Sequence, residues 1–267
     1  MEFELTETFK NNWGTSPSFD ELMALEGEMY RQVARRKTLK FSMNGRVYFA
    51  KIHQGVGWGE IFKNLFQGRL PILGAKNEYD ALGALHQLGI KTMNLAAYGR
   101  RGFNLAEQES FVVTESLEPA VSLEDFCADW ALHKPPFQLK RALIKRVAKI
   151  TRTLHENGIN HRDLYICHFL LKEGELESLK NVDDVALYLI DLHRVQIRDK
   201  TPKRWQIKDL AALYFSSMEL GLSRYDLSYF MSCYTGEPFK CSLQKNKALW
   251  KSVEQKALRL KAKSAKP

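Results

Sequence analysis

His161-Arg162-Asp163-Leu164-Tyr165-Ile166-Cys167-His168-Phe169-Leu170-Leu171 is the stretch on which the reading of this chain turns. Upstream, Leu139, Leu143, Val147, Ile150 and Leu154 recur at helical spacing, and Asn157-Gly158 supplies a stop. Asp163 therefore falls on a short loop after a helix, ahead of an apolar run that reads as a strand. A second apolar run, Val185-Ala186-Leu187-Tyr188-Leu189-Ile190, ends in Asp191. Two carboxylates are thus predicted at the ends of neighbouring short strands.

That pairing suits ATP-dependent phosphoryl transfer. Asp163 can accept a hydrogen bond from an attacking hydroxyl and align it with the terminal phosphate. Asp191 offers a hard oxygen to Mg²⁺ between phosphates. Turn-capping aspartates are common, but the order of helix, loop, strand and second carboxylate favours chemistry over capping. The order resembles the catalytic core of the protein-kinase-like fold. It implies an α+β, bilobal architecture, with an antiparallel sheet plus one helix in the N-lobe and a mainly helical C-lobe. The expected divisions are 1–118 for the N-terminal lobe with its lead-in helix, 119–243 for the catalytic lobe and 244–267 for a basic amphipathic tail.

Lys51, in Tyr48-Phe49-Ala50-Lys51-Ile52, fits a strand lysine that holds the α- and β-phosphates, and Glu78 on the following helix is its expected partner. No glycine-rich phosphate loop stands between the first two strands. Arg35, Arg36 and Lys37 occur there instead, and Arg35 is taken as a phosphate contact by charge. Glu115-Ser116-Leu117 resembles the hinge whose backbone would bind adenine, which assigns Glu115 and Leu117 to the nucleotide. His168 stands where kinases place a metal-binding asparagine. Imidazole is a poorer ligand for a hard cation, so metal binding, phosphate contact and a core role all stay open for it. Asp209 is expected to brace the catalytic loop.

Several elements are legible around this frame. Ser18 and Glu21 fit a capping box opening a helix to about residue 25, after an irregular lead-in over 1–18. Strands are predicted at 28–33, 38–43, 46–53 and 111–114, with Asn44-Gly45 as a tight hairpin turn. Gly55, Gly57 and Gly59 read as a flexible loop. Helices are predicted at 76–88, 204–219 and 227–233, and 174–184 as a polar excursion.

The chain has 267 residues and a net charge of +9. Residues 244–267 hold eight Lys/Arg and one Glu, so +7 of the charge is a property of the tail and only +2 belongs to the rest. Leu249, Val253, Ala257 and Leu260 give that tail a helical apolar face, which suits an anionic membrane surface or a solvated terminal helix equally. Nucleic-acid binding fits poorly, because charge outside the tail is small and no stacking motif is present. The four cysteines show neither CxxC nor zinc spacing, pointing to a reducing compartment. No run of about 20 apolar residues is present to cross a bilayer.

More narrowly, the 161–171 stretch with Ile190-Asp191-Leu192-His193-Arg194, residues 123–130 and Lys208-Asp209-Leu210 resembles the bacterial lipopolysaccharide core heptose kinase family. The resemblance implies transfer of the γ-phosphate of ATP, with Mg²⁺, to a hydroxyl of the first inner-core heptose. It implies His168 as a family trait, the anionic glycolipid inner core as acceptor, and the cytoplasmic face of a Gram-negative inner membrane. The basic tail would aid membrane attachment or attract an acidic protein partner. A protein kinase is the competing enzyme, weakened because Thr201-Pro202 follows Asp191 too soon for a peptide-docking segment. A nucleotide-binding pseudokinase scaffold is the non-enzyme alternative.

Overall fold

Asn44 and Gly45 both take left-handed backbone, at φ 48° and 75°, and so close the two-residue hairpin that their sequence predicts. The structure is a computed structural model describing residues 1–33, 35–66, 74–175 and 181–265, apart from the side chains of 60, 64 and 65. It divides into two units. Unit one comprises Met1–Gln87, Thr92–Glu118 and Asp191–Arg194, and unit two comprises Leu88–Lys91, Pro119–Ile190 and Val195–Pro267.

Unit one contains, in chain order, β1 (Glu2–Leu5), α1 (Glu7–Trp13), α2 (Phe19–Met23), β2 (Glu28–Val33), β3 (Arg36–Met43), β4 (Arg46–Gln54), α3 (Trp58–Phe66), α4 (Lys76–Gln87), β5 (Leu95–Arg101) and β6 (Glu109–Glu115). The strands form one antiparallel sheet in the order β1-β5-β6-β4-β3-β2. Strand alternation splits its residues cleanly. Leu39, Tyr48, Ala50, Ile52, Phe111 and Val113 bury against Phe9, Phe19 and Leu22 of α1 and α2. The opposite face carries Thr38, Lys51 and Val112, cross-strand partners in one row. On this side Tyr79 of α4 stacks on Tyr98 of β5, ring centres 3.9 Å apart.

The capping box of α2 is present, with Ser18 and Glu21 bonding reciprocally. Residues 1–18 are more regular than expected. β1 pairs with β5, and Thr6 caps α1. A four-residue edge strand and a seven-residue helix are too short for periodicity to register. The helix α4 is joined by three shorter helices, where the sequence predicted one lead-in helix and α4. The glycine-rich loop ends sooner than expected. Gly57 donates to the Ala106 carbonyl at 2.8 Å and Trp58 opens α3.

Unit two contains β7 (Ala120–Ser122), α5 (Leu123–Phe126), α6 (Phe137–Glu156), β8 (Ile159–Asn160), β9 (Phe169–Lys172), β10 (Tyr188–Leu189), β11 (Gln196–Ile197), α7 (Lys203–Ser217), α8 (Arg224–Thr235), α9 (Phe239–Lys245) and α10 (Lys247–Ser264). Its helical core joins Ala148, Leu210, Ala211, Tyr234, Val253 and Ala257. The helix α10 therefore spends part of its apolar face inside unit two, with Leu249 and Trp250 also packed there. The 185–190 run is strand only at Tyr188–Leu189, although Val185 and Leu187 are buried. Of the polar excursion at 174–184, residues 176–180 lie outside the described residues.

Gly158 shows how tightly the stop after α6 is packed. It sits at φ 75°, and a Cβ there would lie 1.6 Å from the Arg198 carbonyl oxygen. Gly158→Ala is expected to cost at least about 2 kcal/mol of stability, because the new methyl meets backbone in a conformation that L residues avoid. Thermal unfolding of the variant beside the wild type measures this. An unchanged midpoint would contradict the packing described.

Candidate active site

The loop that carries Asp163 is pinned from α7. Asp209 is fully buried. Its Oδ2 accepts the His161 N–H at 2.7 Å and its Oδ1 accepts the Arg162 N–H at 2.8 Å. His155 Nε2 lies 3.4 Å from the same carboxylate, with its Nδ1 2.9 Å from the Tyr234 hydroxyl. These contacts hold Arg162 at φ 75°, a left-handed conformation that a non-glycine residue keeps only when its surroundings enforce it. The chain then turns and presents Asp163, whose side chain is 17% exposed and lies 3.7 Å from Lys208 Nζ.

His168 sits in a 3-10 turn, and its Nδ1 is 2.8 Å from the carbonyl oxygen of Asp163. A carbonyl only accepts, so Nδ1 carries a proton. The imidazole thus buttresses the backbone of the residue it follows by five positions. His161 donates through Nε2 to the Ile190 carbonyl at 3.0 Å, and its ring stacks on that of His168.

In unit one, Lys51 Nζ reaches both oxygens of Glu78, at 2.7 and 2.9 Å. The pair expected from sequence is therefore formed, and Glu78 is 2% exposed. Asp191 also has a positive φ, at 62°, and its carboxylate hydrogen-bonds His193 Nδ1.

The three hairpin cations separate. Arg35 is exposed, and Lys37 donates to the Leu25 carbonyl at 3.1 Å. Arg36 stands opposite His53 in the ladder, as Thr38 stands opposite Lys51, so all four share one face of the sheet. Burial lowers the Arg36 pKa, while Glu78 and then Asp191 draw it back up. Among the described residues no hydrogen bond or ion pair engages the Arg36 guanidinium. Sequence reasoning chose Arg35 from this triplet. Strand alternation from Lys51 across the ladder puts Arg36 on the same face as Lys51. His53 was not singled out at all. Burial holds its imidazole far below the ordinary range, at about 3, and Arg36 and Lys51 push the same way.

At the end of β6 the backbone N–H groups of Glu115 and Ser116 are already used, donating to Asn94 and Val47 carbonyls at 2.9 and 2.8 Å. The Glu115 carboxylate meets Asn94 and Arg46. Leu117 makes no backbone hydrogen bond among the described residues, so its N–H and C=O fit a purine edge better than those of Glu115. Among the described residues no group of three or more His, Cys, Asp or Glu side chains gathers as a metal site. A single carboxylate at Asp191 nevertheless fits Mg²⁺ that shares its ligands with phosphates.

Residues 20–234 match the family described as Lipopolysaccharide kinase (Kdo/WaaP). The chain belongs to this family. It is 48% identical over 260 residues to a Pseudomonas aeruginosa protein named lipopolysaccharide core heptose(I) kinase WaaP, covering 97% of this chain and 96% of the relative. An Escherichia coli protein of the same name is 45% identical over 261 residues, again covering 97% and 96%. Among solved structures, WaaP in complex with acyl carrier protein matches with a TM-score of 0.83 and 44% identity, covering 97% of this chain and 99% of that one. The family resemblance and the α+β class read from sequence are both borne out. As a member of the lipopolysaccharide kinase (Kdo/WaaP) family, the chain is a phosphotransferase acting on a sugar hydroxyl.

The neutral, buried His53 makes stability depend on pH with a definite sign. Its folded pKa, about 3, lies below the ordinary 6.5, so the unfolded chain binds the proton more readily. Stability contributed by the neutral ring is full above about 6.5 and is lost as pH falls toward 3, by up to about 1.4 kcal/mol per pH unit. His53→Gln should therefore flatten the decline of the unfolding midpoint between pH 6.5 and 4. Parallel curves for variant and wild type would show the ring is not held neutral.

Proposed function

We propose that this enzyme transfers the γ-phosphate of ATP to a hydroxyl of the first heptose of the lipopolysaccharide inner core. The observation that carries the reading is 48% identity across 97% of the chain to a kinase named for that heptose. The local geometry supports a role for each group. Asp163 accepts a hydrogen bond from the acceptor hydroxyl and takes its proton as the new P–O bond forms, while the bond from the γ-phosphorus to the β,γ-bridging oxygen breaks and ADP leaves. Lys51, oriented by Glu78, lies against the α- and β-phosphates. Arg36 takes the place of loop amides at the phosphate end, with the exposed Arg35 adding only long-range charge. The Leu117 backbone faces adenine. Asp191 would hold Mg²⁺, which neutralises phosphate charge when bound with ATP. His168 keeps the Asp163 loop in place, and its imidazole suits that task better than binding a hard cation.

Two partners follow from chemistry of separate kinds. The solved relative binds acyl carrier protein, so we propose the same partner here, an acidic one for a chain of +9. An apolar cavity of about 550 Å³ in unit two, lined by Leu213, Tyr214, Leu227, Phe230, Met231 and Trp250, has the character to accept an acyl chain. The lysines of α10 would hold the enzyme at the anionic inner face of the inner membrane through charge, since Val253 and Ala257 are committed to the core. No described helix is long and apolar enough to cross a membrane.

Mass spectrometry of core oligosaccharide from cells with and without the protein tests the function. One added phosphate on heptose is expected. Asp163→Asn should lower turnover by about 10³-fold while leaving the fold intact. Transfer that persists in the variant, or lands on peptide and not on heptose, would refute the assignment. Arg36→Ala should raise KM for ATP by about 10-fold, where Arg35→Ala changes it by less than about two-fold. The reverse ranking would return the phosphate contact to Arg35.

A further inference from the structure

Trp205, in the first turn of α7, is surrounded by cations. The guanidinium carbons of Arg162, Arg204 and Arg198 lie 5.4, 5.4 and 6.0 Å from the centre of its ring, and Lys208 Nζ lies 5.7 Å from it. An aromatic face attracts each cation modestly, but four around one side chain also repel one another. Residues 196–208 hold Arg198, Lys200, Lys203, Arg204 and Lys208 against one acid, Asp199.

Acidic partners are not found for Arg198 and Arg204 among the described residues. The two terminal nitrogens of Arg198 donate to neutral oxygens, Asn160 Oδ1 at 2.6 Å and Gln196 Oε1 at 2.5 Å. Burial and then the charge of Arg204 depress the Arg198 pKa. Arg204 is exposed and makes no ion pair among the described residues. Lys208 connects the group to the chemistry, because the same Nζ lies 3.7 Å from Oδ1 of Asp163.

We propose that this cation–tryptophan cluster is the acceptor subsite, and that it binds carboxylate or phosphate groups of an anionic saccharide beside the hydroxyl that Asp163 positions. The assignment rests on the phosphotransferase reading above. Three of the four cations are arginines, whose planar forks match carboxylate and phosphate oxygens. Dispersed, exposed lysines, as on α10, suit a membrane surface. Here Arg162 is buried and Arg198 is half-buried around one ring, the form of a site for a compact ligand. The cations assigned to ATP, Lys51 and Arg36, belong to unit one, and none of them is part of this set. An anion bound here lowers the mutual repulsion and places a sugar ring against a positive field next to the reacting oxygen.

Steady-state kinetics with ATP and water-soluble, deacylated inner-core oligosaccharide test the proposal. Arg204→Glu should raise KM for the oligosaccharide by about 10-fold or more and leave KM for ATP within about two-fold. Lys240→Glu, the same charge reversal on exposed α9, should change neither. Oligosaccharide stripped of phosphate and with carboxylates reduced to alcohols should bind the wild type weakly and be indifferent to Arg204→Glu. The proposal is overturned if Arg204→Glu matches Lys240→Glu, or if both KM values rise together. It is also overturned if the loss is confined to binding of anionic lipid vesicles, which would make the cluster a membrane contact. A wild type that phosphorylates no heptose acceptor removes the underlying function itself, an outcome distinct from these.

Discussion

The buried carboxylate of Asp209 is the constraint on which the loop that presents Asp163 depends. It accepts two consecutive backbone N–H groups, those of His161 and Arg162, and so fixes a loop that no ladder holds. Hydrogen bonds to a charged, water-excluded acceptor are stronger than neutral ones. They offset the cost of keeping Arg162 left-handed. Removing the carboxylate would strand two buried donors and release that backbone, so stability and chemistry share one group. The neighbour of Asp209 in sequence, Lys208, meets Asp163 across the same turn. One dipeptide on α7 therefore shapes the loop and sets the charge beside Asp163.

Much of this was legible in the sequence because it is local. Asn44-Gly45, the Ser18–Glu21 box and the stop at Asn157-Gly158 specify backbone within a few residues, and the structure shows each. Lys51 and Glu78 were legible because a strand lysine and a helix acid occur in a familiar order. What stayed hidden was cross-strand or cross-chain. Arg36 differs from Arg35 only by the face of the sheet it occupies, which depends on register with His53. The Trp205 cluster draws Arg162 from one loop and Arg198 from another segment, so net charge summed over the chain concealed it. The strand predicted at 185–190 shrank to two residues because apolar content signals burial, whereas a strand also needs a partner along its length.

Positive charge in this enzyme is divided by task and not spread evenly. On β3 and β4, Lys40 and Lys51 have defined acidic partners, whereas Arg36 has none among the described residues. Around Trp205 it is concentrated about one aromatic ring. On α10 it lies on the outer side of a helix whose inner side fills the core of unit two. A formal charge of +9 thus describes three physically different arrangements. Screening by salt should weaken the exposed set first and the half-buried set last.

The Lys51–Glu78 pair has a consequence for regulation. With Glu78 almost wholly withdrawn from water and two bonds to the ammonium, separating the partners would leave an uncompensated charge inside the protein, at a cost of about 3–5 kcal/mol. Kinases that switch by swinging this helix outward need that step to be cheap. Here that step is expensive, so the pair ties α4 to β4.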